Sequence, residues 1–117
     1  VHVAADADIA VAVTEQVRRS PAVLLTTGGT GVAPDDLTPE ATAPHLTLEL
    51  PGVAEAMRAR GLAATPTAAM SRGLAGFAGR TLVANLPGST GGVRDGLAVL
   101  DELLDHLLDV HAHGGGH

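Results

Sequence analysis

Two short apolar segments, each followed directly by a glycine-containing turn, restrict the fold of this sequence most strongly. AVLLTT at residues 22–27 continues into GGTG, and TLVANL at residues 81–86 continues into PGS. The first of these runs is short, continuous and apolar with β-branched residues, which is typical of a strand that is buried on both faces of a parallel sheet, and the second run is predicted to be a further strand. Because helical patterns follow both turns, the sequence predicts an α/β fold.

Helical patterns occupy most of the remaining chain, and we expect four helices, at residues 7–19, 38–48, 53–62 and 93–110. Thr38 followed by Pro39 is a typical helix start, with the threonine as N-cap. Short extended pieces around glycine turns are expected in residues 65–80. Residues 1–110 are therefore predicted to form one domain, followed by a disordered tail at residues 111–117.

The composition argues against several classes of function. The chain has 117 residues, a net charge of -6 and no cysteine. The negative net charge argues against a nucleic-acid partner, because phosphate binding of that kind requires a basic face. A membrane helix is not expected, since no apolar run approaches the roughly 20 residues that it needs. Without cysteine, the chain has no disulfide, thiolate metal site or cysteine nucleophile. The six histidines are spaced too irregularly to indicate a metal site.

The turn after the first strand has the composition of a phosphate-binding loop. Gly28, Gly29 and Gly31 let the backbone turn sharply and let its N–H groups approach a ligand closely. Thr27 and Thr30 add hydroxyl donors. Ligands of open α/β sheets bind just outside the carboxyl ends of strands, where this turn lies. The spacing matches neither the Walker loop nor the dinucleotide fingerprint, so a simple packing turn remains the alternative.

Asp35 and Asp36 place negative charge directly behind this turn. A carboxylate beside a phosphate is tolerated when a divalent cation lies between them, and Mg²⁺ is usually held by one or two carboxylates together with phosphate oxygens. The two aspartates are therefore candidate magnesium ligands. The alternative is helix capping, because the helix dipole favours an acidic residue just before a helix.

The turn after the later strand contains Pro87, Gly88 and Ser89 and has the same arrangement of strand, turn and helix. In a parallel sheet the two turns leave the same edge and form a cleft. Ser71 and Arg72 add a hydroxyl and a guanidinium, whose geometry matches phosphate oxygens. The alternatives are an ordinary strand-to-helix connection and a solvated surface arginine.

Four segments together, TTGGTG, TPEAT, MSRGLAG and NLPGS, resemble in order and spacing the MoaB/Mog molybdopterin-binding domain family of molybdenum cofactor biosynthesis. The resemblance covers about residues 3–109. It implies a cytoplasmic three-layer α/β/α domain with a mostly parallel sheet, assembled as a homo-oligomer, either a trimer or a hexamer. The family's first strand and first helix have no counterpart here, so we expect an N-terminally incomplete domain.

The resemblance also implies a reaction and its residues. In the active branch, AMP is transferred from Mg-ATP to the terminal phosphate of molybdopterin. Asp36 matches the family's essential acid and is implied as a catalytic residue and as the Mg²⁺ ligand. Asp6 matches a second catalytic acid but lacks the proline that usually precedes it. The alternative is a non-catalytic MoaB-type oligomer that binds molybdopterin or a protein partner. The implied ligand-binding residues are Thr27, Gly28, Gly29, Thr30, Gly31, Ser71, Arg72, Pro87, Gly88 and Ser89.

Overall fold

The computed structural model describes residues 8–114, which form four α-helices and one four-stranded sheet. Short 3₁₀ helices follow the second and third α-helices at Ala43–His45 and Pro66–Met70. Within residues 8–114, no helix is both long enough and apolar enough to span a membrane. The helices are α1 (Ile9–Arg18), α2 (Thr38–Thr42), α3 (Pro51–Leu62) and α4 (Thr90–His113), and the strands are β1 (Val23–Thr27), β2 (Leu48–Glu49), β3 (Ala75–Ala78) and β4 (Thr81–Leu86).

The sheet has the strand order β1-β4-β3-β2, and the expected α/β class is confirmed. β4 pairs in parallel with β1 and antiparallel with β3, which in turn pairs antiparallel with β2. The sheet of the described residues is therefore mixed rather than mostly parallel. The reason is local, because Gly79 and Arg80 alone connect β3 to β4, and so short a connection joins strands only as an antiparallel hairpin.

Helices cover both faces of this sheet and complete the expected three layers. On one face, residues of α3 and Leu100 of α4 pack on Phe77 and Leu82 in the hydrophobic core. On the other face, the Asn85 side chain donates a hydrogen bond of 3.1 Å to the Thr42 hydroxyl in α2. Alternate residues of a strand point to opposite faces, so β4 contacts both helical layers.

The first strand is less buried than the sequence predicts. β1 lies at an edge of the described sheet, and Leu25 is 39% exposed. β4 lies between two strands, and all of its residues are buried. Burial on both faces, which the sequence suggested for residues 22–27, is therefore wrong for β1, which has a single neighbouring strand among the described residues. It is found instead in β4.

The second helix is shorter than predicted. α2 ends at Thr42 instead of continuing to residue 48. Pro44 has no N–H to donate to a further helical turn. The backbone N–H groups of Thr47 and Leu50 bond instead to carbonyl oxygens of β3, each at 2.8 Å. Pairing with the sheet therefore replaces the predicted end of the helix.

The last helix is longer than predicted because its C-terminal end contacts the β3–β4 hairpin. The His111 ring stacks on Phe77 with a centroid distance of 3.7 Å, and its Nε2 lies 2.8 Å from the Gly79 carbonyl oxygen. Residues 111–113 are consequently helical rather than part of a disordered tail. Residues 115–117 lie outside the described part of the chain.

Candidate functional site

A cleft of about 610 Å³ lies where the glycine turns after β1 and β4 meet. The turns are in direct contact, since the Gly28 N–H donates to the Leu86 carbonyl at 2.9 Å and a Cβ on Gly88 would lie 3.4 Å from the Gly28 Cα. β1 and β4 are parallel, so both turns leave the same edge of the sheet, as the sequence predicts. The cleft is also lined by α3, by the 3₁₀ segment that follows it and by the first turns of α4.

Most of the predicted site residues lie around this one cleft. Thr27 and Arg72 are not part of its lining, and Asp6 lies outside the described residues. The predicted residues that do line the cleft are Gly28, Gly29, Thr30, Gly31, Asp36, Ser71, Pro87, Gly88 and Ser89.

Two glycines at the start of the first loop, residues 28–36, have backbone conformations that other residues rarely adopt. Gly28 and Gly29 have φ angles of 82° and 69°, in the left-handed region that favours glycine. A Cβ on Gly29 would overlap the Thr38 hydroxyl. That hydroxyl donates to the Gly28 carbonyl at 3.0 Å, so Thr38 fixes the loop instead of acting as the predicted N-cap of α2.

Asp36 lies at the end of the first loop and is one of the residues that line the cleft. Its Oδ2 accepts a hydrogen bond of 2.9 Å from the Ala33 N–H, which holds the side chain against its own loop. A Cβ on Gly31 would lie only 2.7 Å from the same oxygen, so a glycine is needed for this approach. The neighbouring Asp35 is exposed and does not line the cleft.

Arg72 lies behind the first loop and holds it in place. Its Nε donates to the Gly31 carbonyl and its Nη2 to the Asp36 carbonyl, both at 2.7 Å, while its Nη1 lies 2.6 Å from the Glu40 carboxylate. The hydrogen bond from Arg72 lowers the pKa of Glu40, and the same contact raises the pKa of Arg72. The sequence suggested Arg72 as a phosphate ligand, whereas in the structure its side chain supports the backbone of the loop that carries Asp36.

The second loop, residues 87–92, leads directly into α4. The Ser89 hydroxyl accepts a hydrogen bond of 3.0 Å from the Gly92 N–H and caps this helix. Gly91 and Gly92 form the first turn without side chains that would shield the backbone from the cleft. The N-terminal end of a long helix favours anions, because its N–H groups are free and its dipole is positive there.

The sequence analysis missed five polar residues that line the cleft: Arg58, Thr65, Thr67, Asn85 and Asp95. Asn85 is an amide within the apolar run LVANL of a buried strand, a signal that the sequence does contain. It donates to the hydroxyls of Thr26 at 2.9 Å and Thr42 at 3.1 Å. Arg58 and Asp95 are found only when the faces of α3 and α4 that meet the cleft are known.

The described lining contains two carboxylates, those of Asp36 and Asp95, and one guanidinium, that of Arg58. Residues 8–114 contain no cluster of three or more histidine, aspartate and glutamate residues able to hold a metal ion by themselves. A single carboxylate nevertheless suits Mg²⁺, which retains water and shares its coordination with substrate phosphates. Asp36 fits that role because its Oδ2 alone is bonded within the loop.

Comparison with known proteins supports the same family as the motifs. Residues 2–106 match the family described as probable molybdopterin binding domain. The molybdopterin adenylyltransferase of Helicobacter pylori is 40% identical over 88 residues, which are 75% of this chain and 50% of that protein. This chain spans half or less of the length of six curated relatives that it matches.

Solved structures agree in fold over most of the chain. The molybdopterin biosynthesis Mog protein from Mycobacterium ulcerans is similar with a TM-score of 0.85 and 47% identity, over 88% of this chain and 68% of that one. The molybdopterin biosynthesis enzyme MoaB from Thermus thermophilus is similar with a TM-score of 0.78 and 46% identity, over 87% and 67%. The chain therefore belongs to the MoaB/Mog family of molybdopterin-binding domains.

Proposed function

We propose that the protein acts in molybdenum cofactor biosynthesis as a molybdopterin adenylyltransferase. The observation that carries this proposal is the cleft between two glycine turns, with Asp36 at the end of the first, in a chain that belongs to a molybdopterin-binding family. The relative from H. pylori, which bears the name of this activity, aligns with 75% of the chain. In the reaction, a phosphate oxygen of molybdopterin attacks the α-phosphorus of ATP, and pyrophosphate leaves as the bond to its bridging oxygen breaks.

The cleft offers what this reaction needs, which is positioning and electrostatic stabilisation rather than a covalent nucleophile. Backbone N–H groups of the first loop and of the first turn of α4 are suited to hold phosphate oxygens. Asp36 would hold Mg²⁺, which supplies charge neutralisation on the phosphates when bound. The Ala33 N–H orients the carboxylate for that task.

One wall of the cleft suits the flat ring system of a ligand. It is formed by Met57, Ala64, Ala68 and Met70, which are small or flexible apolar side chains. Ligand sites are typically built in this way, with apolar walls and a few polar groups that fix the orientation. The proposed phosphates would then lie at the loops and a ring against this wall.

The proposal is tested with the full-length protein, molybdopterin, ATP and Mg²⁺, by measuring the formation of adenylylated molybdopterin. Asp36→Asn is expected to lower turnover at least about a hundredfold, because it removes the charge that holds the metal, while pterin affinity changes little. Asp35→Asn is the matched control, since Asp35 lies outside the cleft, and should retain wild-type turnover. If the folded wild-type protein gives no product, the protein is not this enzyme.

The second candidate is a MoaB-type protein that binds molybdopterin without transferring AMP. It is favoured by the near-equal identities to a Mog structure, at 47%, and to a MoaB structure, at 46%. Calorimetry separates the two functions. Binding of molybdopterin without detectable affinity for Mg-ATP supports the binding protein, whereas Mg-ATP affinity that depends on Asp36 supports the enzyme.

We also propose that the full-length protein is a homo-oligomer, either a trimer or a hexamer. Large apolar side chains remain exposed on this chain, including Val11 at 56%, Val32 at 63% and Leu97 at 43%. Leu103 and Leu108 extend the apolar surface of α4, but they pack against the core of this chain and are therefore not part of the argument for an oligomer. Sedimentation at micromolar concentration tests it, and a species with the mass of one chain would contradict it.

A further inference from the structure

Arg58 occupies the position in the cleft that the sequence suggested for Arg72. Four lining residues of α3, namely Ala54, Met57, Arg58 and Gly61, follow the spacing i, i+3, i+4 and i+7. This spacing defines one face of a helix, so Arg58 belongs to the stripe of α3 that meets the cleft.

The guanidinium of the half-buried Arg58 is anchored through one of its three nitrogens, Nη1. Its Nη1 donates to the Ser71 carbonyl at 3.3 Å and to the Gly73 carbonyl at 3.2 Å, which uses both hydrogens of that nitrogen. No carboxylate pairs with this arginine in the described part of the chain. The Nε and Nη2 donors remain, and together they form the edge of a guanidinium that binds two oxygens of one phosphate.

The charges of the residues that line the cleft indicate what the Nε and Nη2 atoms of Arg58 can bind. Asp36 and Asp95 make the described lining acidic, and Arg58 is its one cationic side chain. An anionic ligand in such a cleft needs a positive group that is not already neutralised. Arg72 does not meet this requirement, because Glu40 and two loop carbonyls occupy its guanidinium.

We propose that Arg58 is the phosphate-binding arginine of this cleft and contacts a phosphate of the substrate through its Nε and Nη2 atoms. The proposal rests on the proposed function for the identity of the substrates, but the chemistry it names is a phosphate monoester or polyphosphate. The Ser71 and Gly73 carbonyls orient the guanidinium, so the contact is prepared before the ligand arrives.

The test measures the affinity of the full-length protein for inorganic pyrophosphate by calorimetry. Arg58→Lys keeps the charge but loses the paired donors, and we expect about tenfold weaker binding, whereas Arg58→Met should weaken it about a hundredfold. Arg60→Met is the matched control, because Arg60 lies two residues away, pairs with the exposed Glu102 and is outside the cleft. Its affinity should stay within about twofold of wild type.

If pyrophosphate affinity depends on Arg58, which supports the proposal, parallel titrations with ATP and with molybdopterin identify which substrate phosphate Arg58 contacts. Thermal unfolding distinguishes a lost contact from a damaged fold, and Arg58→Lys decides the matter if Arg58→Met does not fold. The proposal is overturned if Arg58→Lys and Arg58→Met bind pyrophosphate as tightly as wild type, or if Arg60→Met loses as much affinity as they do. It is also overturned if the wild-type protein does not bind pyrophosphate. Arg58-dependent pyrophosphate binding without AMP transfer would instead reject only the adenylyltransferase function.

Discussion

The two loops that form the cleft are held in place by different means. The first loop is fixed by side chains that are distant in sequence, since Thr38 bonds to Gly28 and Arg72 bonds to the carbonyls of Gly31 and Asp36. The second loop is fixed locally, by the hydrogen bond from the Gly92 N–H to Ser89 and by its continuation into α4.

The two loops therefore differ in how far their conformations depend on the rest of the protein. The second loop forms together with its helix and needs little from the rest of the molecule. The first loop carries Asp36, and its shape depends on α2 and on the segment before β3. Substitutions far from the ligand should therefore damage the first loop, whereas the second loop should tolerate changes outside its own turn.

The largest contrast is expected from adding one methyl group to a glycine of each loop. Gly29→Ala should destabilise the protein by about 2 kcal/mol, because Gly29 has a left-handed φ of 69° and the new Cβ would overlap the Thr38 hydroxyl. Gly91→Ala adds a Cβ that meets no atom within 4 Å in a helical turn. It should be neutral or stabilise the protein by up to about 1 kcal/mol.

Urea unfolding of both variants measures this contrast in the full-length protein. A shift of the midpoint at constant slope reports the change in stability directly. Equal destabilisation by the two alanines would show that the second loop is as constrained as the first and would remove the distinction.

The place of the cleft was predictable because local sequence shows where each of the two strands ends in a glycine turn, although the contacts that fix the first loop are distant in sequence. The glycines, the polar turn residues and the buried run of β4 carry strong local preferences, and these placed the two loops at one edge of the sheet. The short β2 and the early end of α2 were missed, because pairing of Thr47 and Leu50 with β3 outweighs the helical preference of that segment.

The roles of individual arginines were not predictable in this way. Arg72 follows Ser71 in a segment that does line the cleft, yet its side chain extends behind the first loop. Arg58 lies within an ordinary amphipathic helix, and only the packing of α3 against the loops gives it a position in the cleft. Long cationic side chains can reach several partners that are distant in sequence, so the spacing of residues alone does not predict which group an arginine contacts.

Removing Arg72 should have the next largest effect. Arg72→Met eliminates the hydrogen bonds to the Gly31 and Asp36 carbonyls, and we expect turnover to fall about tenfold to a hundredfold through misplacement of Asp36. The control is Arg80→Met in the exposed β3–β4 turn, which should leave turnover unchanged. Kinetics of AMP transfer, with pyrophosphate affinity measured alongside, tests the assignment. A variant that loses pyrophosphate binding but not turnover would contradict the supporting role given to Arg72.

The smallest effect is expected from Glu40, which contacts the first loop only through Arg72. Its pKa is lowered in the folded protein by the hydrogen bond from Arg72, so its contribution to stability is complete above the ordinary glutamate pKa of about 4.3 and is lost as pH falls through the lower folded value. The pair is exposed, with side-chain exposures of 38% for Arg72 and 54% for Glu40, so water and salt weaken it. Glu40→Gln should therefore melt close to wild type at neutral pH and lose less stability than wild type on acidification below about pH 4. Thermal unfolding of both proteins across this range measures the difference. If Glu40→Gln instead reduced activity as much as Arg72→Met at neutral pH, the ion pair rather than the two carbonyl contacts would be what holds the first loop.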